Sequence, residues 1–266
     1  MKTAVVTGAG HGIGRAICRR LNDDGITVVV VDLERNAAET VASEIGGHAF
    51  GVDVSDEKAL VSMIEQVEDR IGPIDLFVSN AGVGFGDAAG MAASKAGGAN
   101  PCNDRWSACW NVNVMAHVYA ARALVPRMIE RGGGYLVNIA SAAGLLSQIG
   151  DAAYSATKHA AVAFAESLAI THGEQGIRVS VVCPQAVATR MIGIEDDSDS
   201  LDGGFGGNEV DGILRPEQVA DCIMDGIRDG RFLILSHQQV TTYFQRKAGD
   251  YDRWIKGMQR FRSSLK

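Results

Sequence analysis

Residues 2–14 read KTAVVTGAGHGIG, a short apolar run that leads into a turn rich in glycine. The run has the β-branched character of a strand, and residues 13–24 after the turn suit a helix. Glycines let such a turn bend sharply and approach a phosphate closely, while the helix N terminus offers free N–H groups. The stretch therefore predicts a strand–turn–helix unit that binds a nucleotide phosphate, although a turn without a ligand also fits it.

The same pattern repeats outward from this turn. Strands are predicted at 27–32, 48–53, 74–79, 135–140, 177–183 and 232–235, alternating with helices at 36–45, 57–71, 104–131, 152–173 and from Pro216. Continuous runs such as TVVVVD at 27–32 indicate strands buried on both faces. We expect an α/β fold of the Rossmann type, with a single doubly wound parallel sheet and helices on both faces, over one domain spanning 1–266.

Three segments depart from this alternation. Residues 84–103 are rich in Gly, Ala, Ser and Asn, and predict a long loop or irregular insertion. A second loop, rich in Gly and Asp, is expected at 193–212, and a helical tail at about 238–266.

Composition and net charge limit the classes of molecule that the protein is expected to bind. The formal net charge of −7 disfavours nucleic acid and anionic membranes. The five cysteines have irregular gaps and the six histidines form no ligand cluster, so neither a disulfide framework nor a metal site is expected. The first residues are too short an apolar run for a signal peptide or a membrane span, which predicts a cytoplasmic protein with a small-molecule partner.

Polar residues at strand ends predict the rest of a nucleotide site. The turn residues expected at the phosphates are Gly8, Gly10, His11, Gly12, Ile13 and Gly14. Asp32 ends the second predicted strand, where a carboxylate binds ribose hydroxyls and repels a 2′-phosphate. Leu33 follows Asp32 at a position where a basic residue would have favoured NADP, although the nearby Arg35 leaves the choice between NAD and NADP open. The alternative for Asp32 is a helix cap or a solvated acid at a strand end.

Two further strand ends point to the same crevice. The third predicted strand ends at Asp53-Val54 and the fourth is followed by Asn80-Ala81-Gly82. Carboxyl ends of parallel strands line the ligand crevice of such sheets, although each residue alone would be an ordinary turn residue.

Tyr154 and Lys158 are four residues apart at the start of a predicted helix, so both lie on one face. A nearby ammonium favours the phenolate of a tyrosine, whose free pKa is about 10. Ser141 lies 13 residues before Tyr154, at the end of an apolar strand. Tyr243 and Lys247 have the same spacing, but their charged surroundings favour a solvated helix face.

With these residues in place, the chain resembles the short-chain dehydrogenase/reductase family over nearly its whole length. The matching features are TGAGHGIG at 7–14, Asp32, Asp53-Val54, NAG at 80–82, Asn111-Val112-Asn113, Ser141, Tyr154 with Lys158, and the segment from Pro184 to Thr189. The resemblance implies that Tyr154 is the general acid/base and that Ser141 hydrogen-bonds the substrate oxygen.

The resemblance implies further roles. Lys158 would bind the nicotinamide ribose and lower the pKa of Tyr154, and Asn113 would support a proton relay through water. Val187 and Thr189 would contact the carboxamide end of the cofactor, and Pro184 would also belong to the cofactor site. The chain departs from the family at Gln185, where a glycine is usual and a polar group could face the substrate. Five acids between Glu195 and Asp202 fall in the expected substrate lid and disfavour an anionic substrate.

The sequence thus favours an NAD(H)-dependent oxidoreductase that interconverts a secondary alcohol and a ketone. An NADPH-dependent carbonyl reductase and a nucleotide sensor without catalytic activity are the alternatives. A Ser–His–Asp hydrolase is disfavoured because Ser141 sits in A-S-A rather than in a G-x-S-x-G elbow.

Assembly is predicted from two helices. The helix at 152–173 carries many small apolar residues beyond one narrow stripe, and the helix at 104–131 has a mixed apolar surface. Since these helices commonly form the dimer interface in the resembling family, we expect a homotetramer, with a dimer or a well-packed monomer as alternatives.

Overall fold

The computed structural model describes residues 1–86, 103–203, 207 and 209–265. Its centre is one parallel sheet with strand order β3-β2-β1-β4-β5-β6-β7. The strands are β1 Thr3–Thr7, β2 Thr27–Asp32, β3 His48–Gly51, β4 Leu76–Ser79, β5 Gly134–Ile139, β6 Ile177–Val182 and β7 Leu233–Ile234. In the register, Val5 of β1 lies opposite Val29 on one side and Phe77 on the other.

Helices cover both faces of this sheet. They are α1 Gly12–Asp23, α2 Arg35–Ile45, α3 Glu57–Arg70, α4 Asn103–Trp110, α5 Ala116–Glu130, α6 Ala152–His172, α7 Pro216–Arg228, α8 Gln239–Gly249 and α9 Tyr251–Ser264. One apolar core packs the sheet against α3, α5 and α6, and a second packs it against α1, α2 and α7. The predicted doubly wound α/β fold is confirmed.

The strand order reverses beside β1, since β1 pairs with β2 on one side and with β4 on the other. At such a reversal the loops after neighbouring strands leave in opposite directions and open a crevice at the carboxyl edge of the sheet. The glycine turn after β1 and the segment after β4 both lie at this edge, so the fold itself positions the candidate site.

The helix predicted over 104–131 is interrupted. Residues Asn111–Met115 form a π-helical turn between α4 and α5. Such turns insert one extra residue into a helix and are frequent at functional sites. Hydrophobic periodicity does not reveal the turn, because helical character continues on both of its sides.

Two predicted loops lie partly outside the described residues. Of the 84–103 segment, only 84–86 and 103 are described, so the predicted insertion falls largely beyond them. Of the 193–212 segment, residues 204–206 and 208 fall outside. Among the helices of the described ranges, none combines the length and apolar character needed to cross a bilayer.

Candidate active site

The glycine turn packs too closely for larger residues. Gly8 and Gly12 have φ angles of +59° and +50°, in the left-handed region that favours glycine. A Cβ atom on Gly14 would lie 2.3 Å from the carbonyl oxygen of Gly8 and 2.6 Å from Asn80 Nδ2. Helix α1 therefore begins directly at the glycine turn, and its N terminus is the candidate phosphate site.

Asp32 is held at the end of β2 by the turn itself. Its Oδ2 accepts the N–H of Gly10 at 2.9 Å, and its Oδ1 accepts the N–H of Glu34 at 3.0 Å. The neighbouring Leu33 is 71% exposed. The guanidinium of Arg35, a possible partner for a 2′-phosphate, instead donates to Glu39 at 2.8 Å.

Asn80 fastens the loop after β4 to the glycine turn. Its Nδ2 donates to the carbonyl oxygens of Thr7 and Gly8, both at 2.9 Å, and its N–H donates to the Thr7 hydroxyl at 3.0 Å. This side chain both shapes the turn and borders the cleft.

The acidic segment after Thr189 is paired rather than free. Asp196 accepts the Gly12 N–H at 2.9 Å and contacts His11 Nδ1 at 2.6 Å. Arg15 pairs with Asp197 at 2.7 Å, and Arg190 pairs with Glu195 at 2.9 Å. Arginines pair with two of the five acids and a third contacts His11, so the expectation that these acids disfavour an anionic substrate stays a prediction.

A cleft of about 990 Å³ opens along the carboxyl edge of the sheet. Most of the predicted site residues line it: Gly8, His11, Gly12, Ile13, Asp32, Asp53, Val54, Asn80, Ala81, Gly82, Ser141, Tyr154, Lys158, Pro184, Gln185, Val187 and Thr189. Gly10, Gly14 and Asn113 do not line the cleft, but they contact residues that do. Residues far apart in sequence are thus brought into one site.

Ser141, Tyr154 and Lys158 meet in this cleft. The Ser141 Oγ accepts the N–H of Ala143 at 3.1 Å, which fixes the hydroxyl at the end of β5. Lys158 is buried, its Nζ donates to the carbonyl oxygen of Ile139 at 3.1 Å, and the same Nζ lies 5.5 Å from the centroid of the Tyr154 ring.

Burial governs the protonation of this pair. It raises the pKa of Tyr154 to about 12, against an opposing interaction with the Ser141 hydroxyl. Burial also lowers the pKa of Lys158 to about 8, so its ammonium form still prevails at pH 7. In the protein alone burial therefore favours the phenol over the phenolate, and the lowering of the Tyr154 pKa expected from Lys158 stays a prediction.

Asn113 lies on the π-helical turn and is fully buried. Its Oδ1 accepts the N–H of Val83, and its Nδ2 donates to the carbonyl oxygen of Val83, both at 2.9 Å. The same Nδ2 donates to the Thr157 hydroxyl at 3.1 Å. The side chain thus connects the loop after β4 with α6, beside the catalytic helix face.

Asp151 is a site residue that the sequence analysis missed. Its Oδ1 accepts the N–H of Tyr154 at 2.9 Å and caps α6, while its Oδ2 accepts the N–H groups of Phe85 and Gly86 at 3.1 and 2.9 Å. Asp151 therefore fixes both the start of the catalytic helix and the loop opposite it. An acid directly before a predicted helix is a capping signal, and it could have identified this residue.

The C-terminal helices are the second feature that was missed. The cleft that contains Tyr154 is also lined by Tyr243 and Arg246 of α8 and by Trp254, Met258 and Phe261 of α9. The interpretation of Tyr243 and Lys247 as a solvated face is wrong. Lys247 is 7% exposed and donates to the carbonyl oxygen of Leu145 at 2.6 Å, and the Tyr243 hydroxyl donates to Asp211 at 2.8 Å.

Gln185 lines the cleft. Its N–H donates to Nδ1 of the buried His237 at 3.2 Å, which fixes the turn after β6. Its Oε1 is buried and makes no hydrogen bond with any described residue.

Comparisons with known proteins agree with this arrangement. A family model described as short chain dehydrogenase matches residues 2–199. The chain belongs to the short-chain dehydrogenase family. It is 36% identical over 249 residues to a 1-deoxy-11-beta-hydroxypentalenate dehydrogenase of Streptomyces arenae, covering 90% of this chain and 83% of that protein. It is 35% identical over 193 residues to a meso-2,3-butanediol dehydrogenase of Serratia marcescens, covering 71% of this chain and 73% of that protein.

A solved structure gives the same result. The short chain dehydrogenase/reductase of Burkholderia phymatum, solved in complex with NAD, superposes with a TM-score of 0.79 at 26% identity, covering 94% of each chain. This short-chain dehydrogenase is therefore an oxidoreductase of a family that uses nicotinamide cofactors.

His117 is a buried histidine one helical turn beyond Asn113. Burial lowers its pKa to about 4, against an opposing interaction with the Asn138 side chain. Between about pH 6.5 and pH 4, His117 is therefore protonated in the unfolded chain and neutral in the folded protein. Because the unfolded state binds more protons, stability falls as the pH drops through this window.

We expect this residue to contribute a loss of about 2 kcal/mol in unfolding free energy between pH 7.5 and pH 5. Urea denaturation of wild type and His117→Leu at both pH values measures it, and the variant should show the smaller pH difference. The matched control is His48→Leu at an exposed position, which should keep the wild-type pH dependence. Equal pH dependence in wild type and His117→Leu would contradict the assignment.

Proposed function

We propose that this short-chain dehydrogenase interconverts a secondary alcohol and a ketone by hydride transfer with NAD(H). The observation that carries the proposal is the meeting of Ser141, Tyr154 and Lys158 in the cleft that also contains the glycine turn and Asp32. When bound, the nicotinamide cofactor gives or accepts the hydride and brings positive charge in its oxidised form. Two relatives named for a diol and for a hydroxy compound support an alcohol as substrate.

The residues of this chain have distinct roles in the proposal. Tyr154 transfers the hydroxyl proton, as donor in ketone reduction and as acceptor in alcohol oxidation. Its raised pKa suits the donor role in the protein alone. Ser141 holds the substrate oxygen, Lys158 supplies a buried cation beside the phenol, and Asn113 keeps the loop at Val83 in position.

The choice of NAD over NADP rests on Asp32. The Asp32 carboxylate, which two backbone N–H groups hold in place, would repel a 2′-phosphate near it. Arg35 could offset this repulsion, but its guanidinium donates to Glu39. NADPH-dependent carbonyl reduction is disfavoured on this ground. A nucleotide sensor without catalysis is disfavoured because the catalytic groups are all present.

A cofactor comparison tests this proposal. With alcohols and ketones screened by NADH absorbance and NADPH in parallel, NAD(H) should be favoured by at least about tenfold in kcat/KM, or roughly 1.4 kcal/mol. Asp32→Ala should narrow that ratio. Glu34→Ala is the control, because this exposed carboxylate is adjacent in sequence but does not line the cleft. Equal or faster turnover with NADP(H) in the wild type would exclude the NAD assignment.

We also propose one domain over 1–266, a substrate lid over 193–212, a cytoplasmic location and a homotetramer. The exposed small residues of α6, together with Ile170 at 83% exposure, support an interface on that helix. The assembly would hold four copies of the 28.1 kDa chain.

A further inference from the structure

One wall of the cleft is built by α8 and α9. It presents the aromatic and thioether side chains of Tyr243, Trp254, Met258 and Phe261. Leu146 and Ile149, which precede α6, continue the apolar lining. A surface of this kind fits the hydrocarbon part of a ligand, since aromatic side chains bury large apolar areas.

One cation stands in this wall without a partner. Arg246 is an exposed residue at the rim of the cleft, and its guanidinium makes no hydrogen bond or ion pair in the part of the chain that the structure describes. The other charged groups near the substrate side are engaged: Asp211 by the Tyr243 hydroxyl, Arg190 by Glu195, and Asp151 by three backbone N–H groups.

Of the acidic residues in the lid segment, Asp211 lines the cleft and accepts the Tyr243 hydroxyl. Asp196 and Asp197 are directed to His11 and Arg15 near the start of α1, at the nucleotide end of the cleft. Among the described residues that line the cleft, Arg246 is the cation with neither a hydrogen bond nor an ion pair. A guanidinium presents N–H groups in a planar fork that matches the two oxygens of a carboxylate.

We propose that the substrate is a hydrocarbon-rich hydroxy acid or keto acid, with its skeleton against α8 and α9 and its carboxylate on Arg246. This inference rests on the proposed alcohol and ketone chemistry at Tyr154. A single guanidinium in an apolar wall matches a monoanion. A phosphate dianion would call for a second cation, which the aromatic and thioether side chains of this wall do not supply.

Matched substrates test the carboxylate directly. The probes are methyl-ketone carboxylic acids of increasing chain length and a ring-ketone carboxylic acid, each beside its methyl ester, with kcat/KM measured by NADH absorbance. The wild type should prefer the acids. Arg246→Met should reduce the acid-to-ester ratio by about 10- to 100-fold, mainly through KM, because a hydrogen bond to a charged group is lost.

The control variant is Arg260→Met. Arg260 is an exposed arginine of α9 that does not line the cleft, so its removal changes the net charge equally and should leave the ratio unchanged. Wild-type enzyme that turns over acids and esters equally well would overturn the inference and leave the proposed chemistry intact. An equal reduction of the ratio by Arg260→Met would also overturn it, since the effect would then be one of overall charge.

A binding measurement separates this inference from the proposed chemistry. Calorimetry with decanoate and decanol, on the enzyme with NADH added, needs no turnover. Decanoate should bind more tightly than decanol to the wild type, and this difference should be lost in Arg246→Met and kept in Arg260→Met. Absence of turnover with every ketone would contradict the proposed alcohol and ketone chemistry. Equal binding of decanoate and decanol would contradict the proposed carboxylate site.

Discussion

Tyr154→Phe should lower kcat by about 10³-fold while the Kd for NADH stays close to the wild-type value. The ring of Tyr154 lines the cleft and remains in the variant, so the shape of the site is kept and only the proton-transferring hydroxyl is lost. Single-turnover kinetics with an accepted alcohol or ketone, together with NADH fluorescence titration, separate the chemical step from cofactor binding.

The matched control for this variant is Tyr243→Phe. Tyr243 lines the same cleft, but its hydroxyl donates to Asp211 at 2.8 Å rather than taking part in the Ser141–Lys158 arrangement. Its loss should change KM more than kcat, because α8 forms part of the substrate wall. A Tyr154→Phe enzyme with wild-type kcat would show that the proton is transferred by another group.

Gly14→Ala should weaken NADH binding strongly and destabilise the protein by about 3 kcal/mol. The new Cβ would lie 2.3 Å from the Gly8 carbonyl oxygen and 2.8 Å from Ala9 Cα, and backbone atoms of β1 and its turn cannot give way without moving the phosphate site. The thermal midpoint should fall by roughly 6–12 °C. Differential scanning fluorimetry with and without NADH measures both effects.

Gly249→Ala is the control for the added methyl group. A Cβ at Gly249, the last residue of α8, would meet no atom within 4 Å. This variant should be as stable as the wild type or slightly more stable, because alanine favours helix more than glycine does. Unchanged stability and NADH affinity in Gly14→Ala would mean that the turn is looser than its contacts indicate.

The nucleotide half of the molecule could be predicted from sequence because its signals are local. The strand and glycine turn at 2–14 are contiguous, and Asp32 and Asn80 each follow directly on a buried strand. The pair Tyr154 and Lys158 shares one helix face, and Ser141 ends a strand that is easily recognised. In each case the periodicity of one element places the residue at the carboxyl edge of the sheet.

The substrate wall could not be predicted in this way. Residues of α8 and α9 line the same cleft as Tyr154, and Lys247 hydrogen-bonds Leu145, which lies 102 residues earlier in the chain. The local sequence pattern of α8 carries no signal of such distant partners. The charged residues around Tyr243 indicated solvent, yet the Lys247 stem is buried and only its Nζ finds a polar partner at Leu145. Long cationic side chains commonly behave in this way, so their charge is a poor guide to exposure.

The π-helical turn at Asn111–Met115 makes the relative rotation of α4 and α5 depend on one residue. Deleting a residue there would restore regular α-helical winding and turn α4 by about 100° around its axis. The buried Cys109, whose Sγ lies 3.8 Å from the Val83 carbonyl oxygen, would then leave its place beside the site. Length in this segment is therefore under a stricter constraint than side-chain identity, and insertions or deletions should be tolerated far less than substitutions.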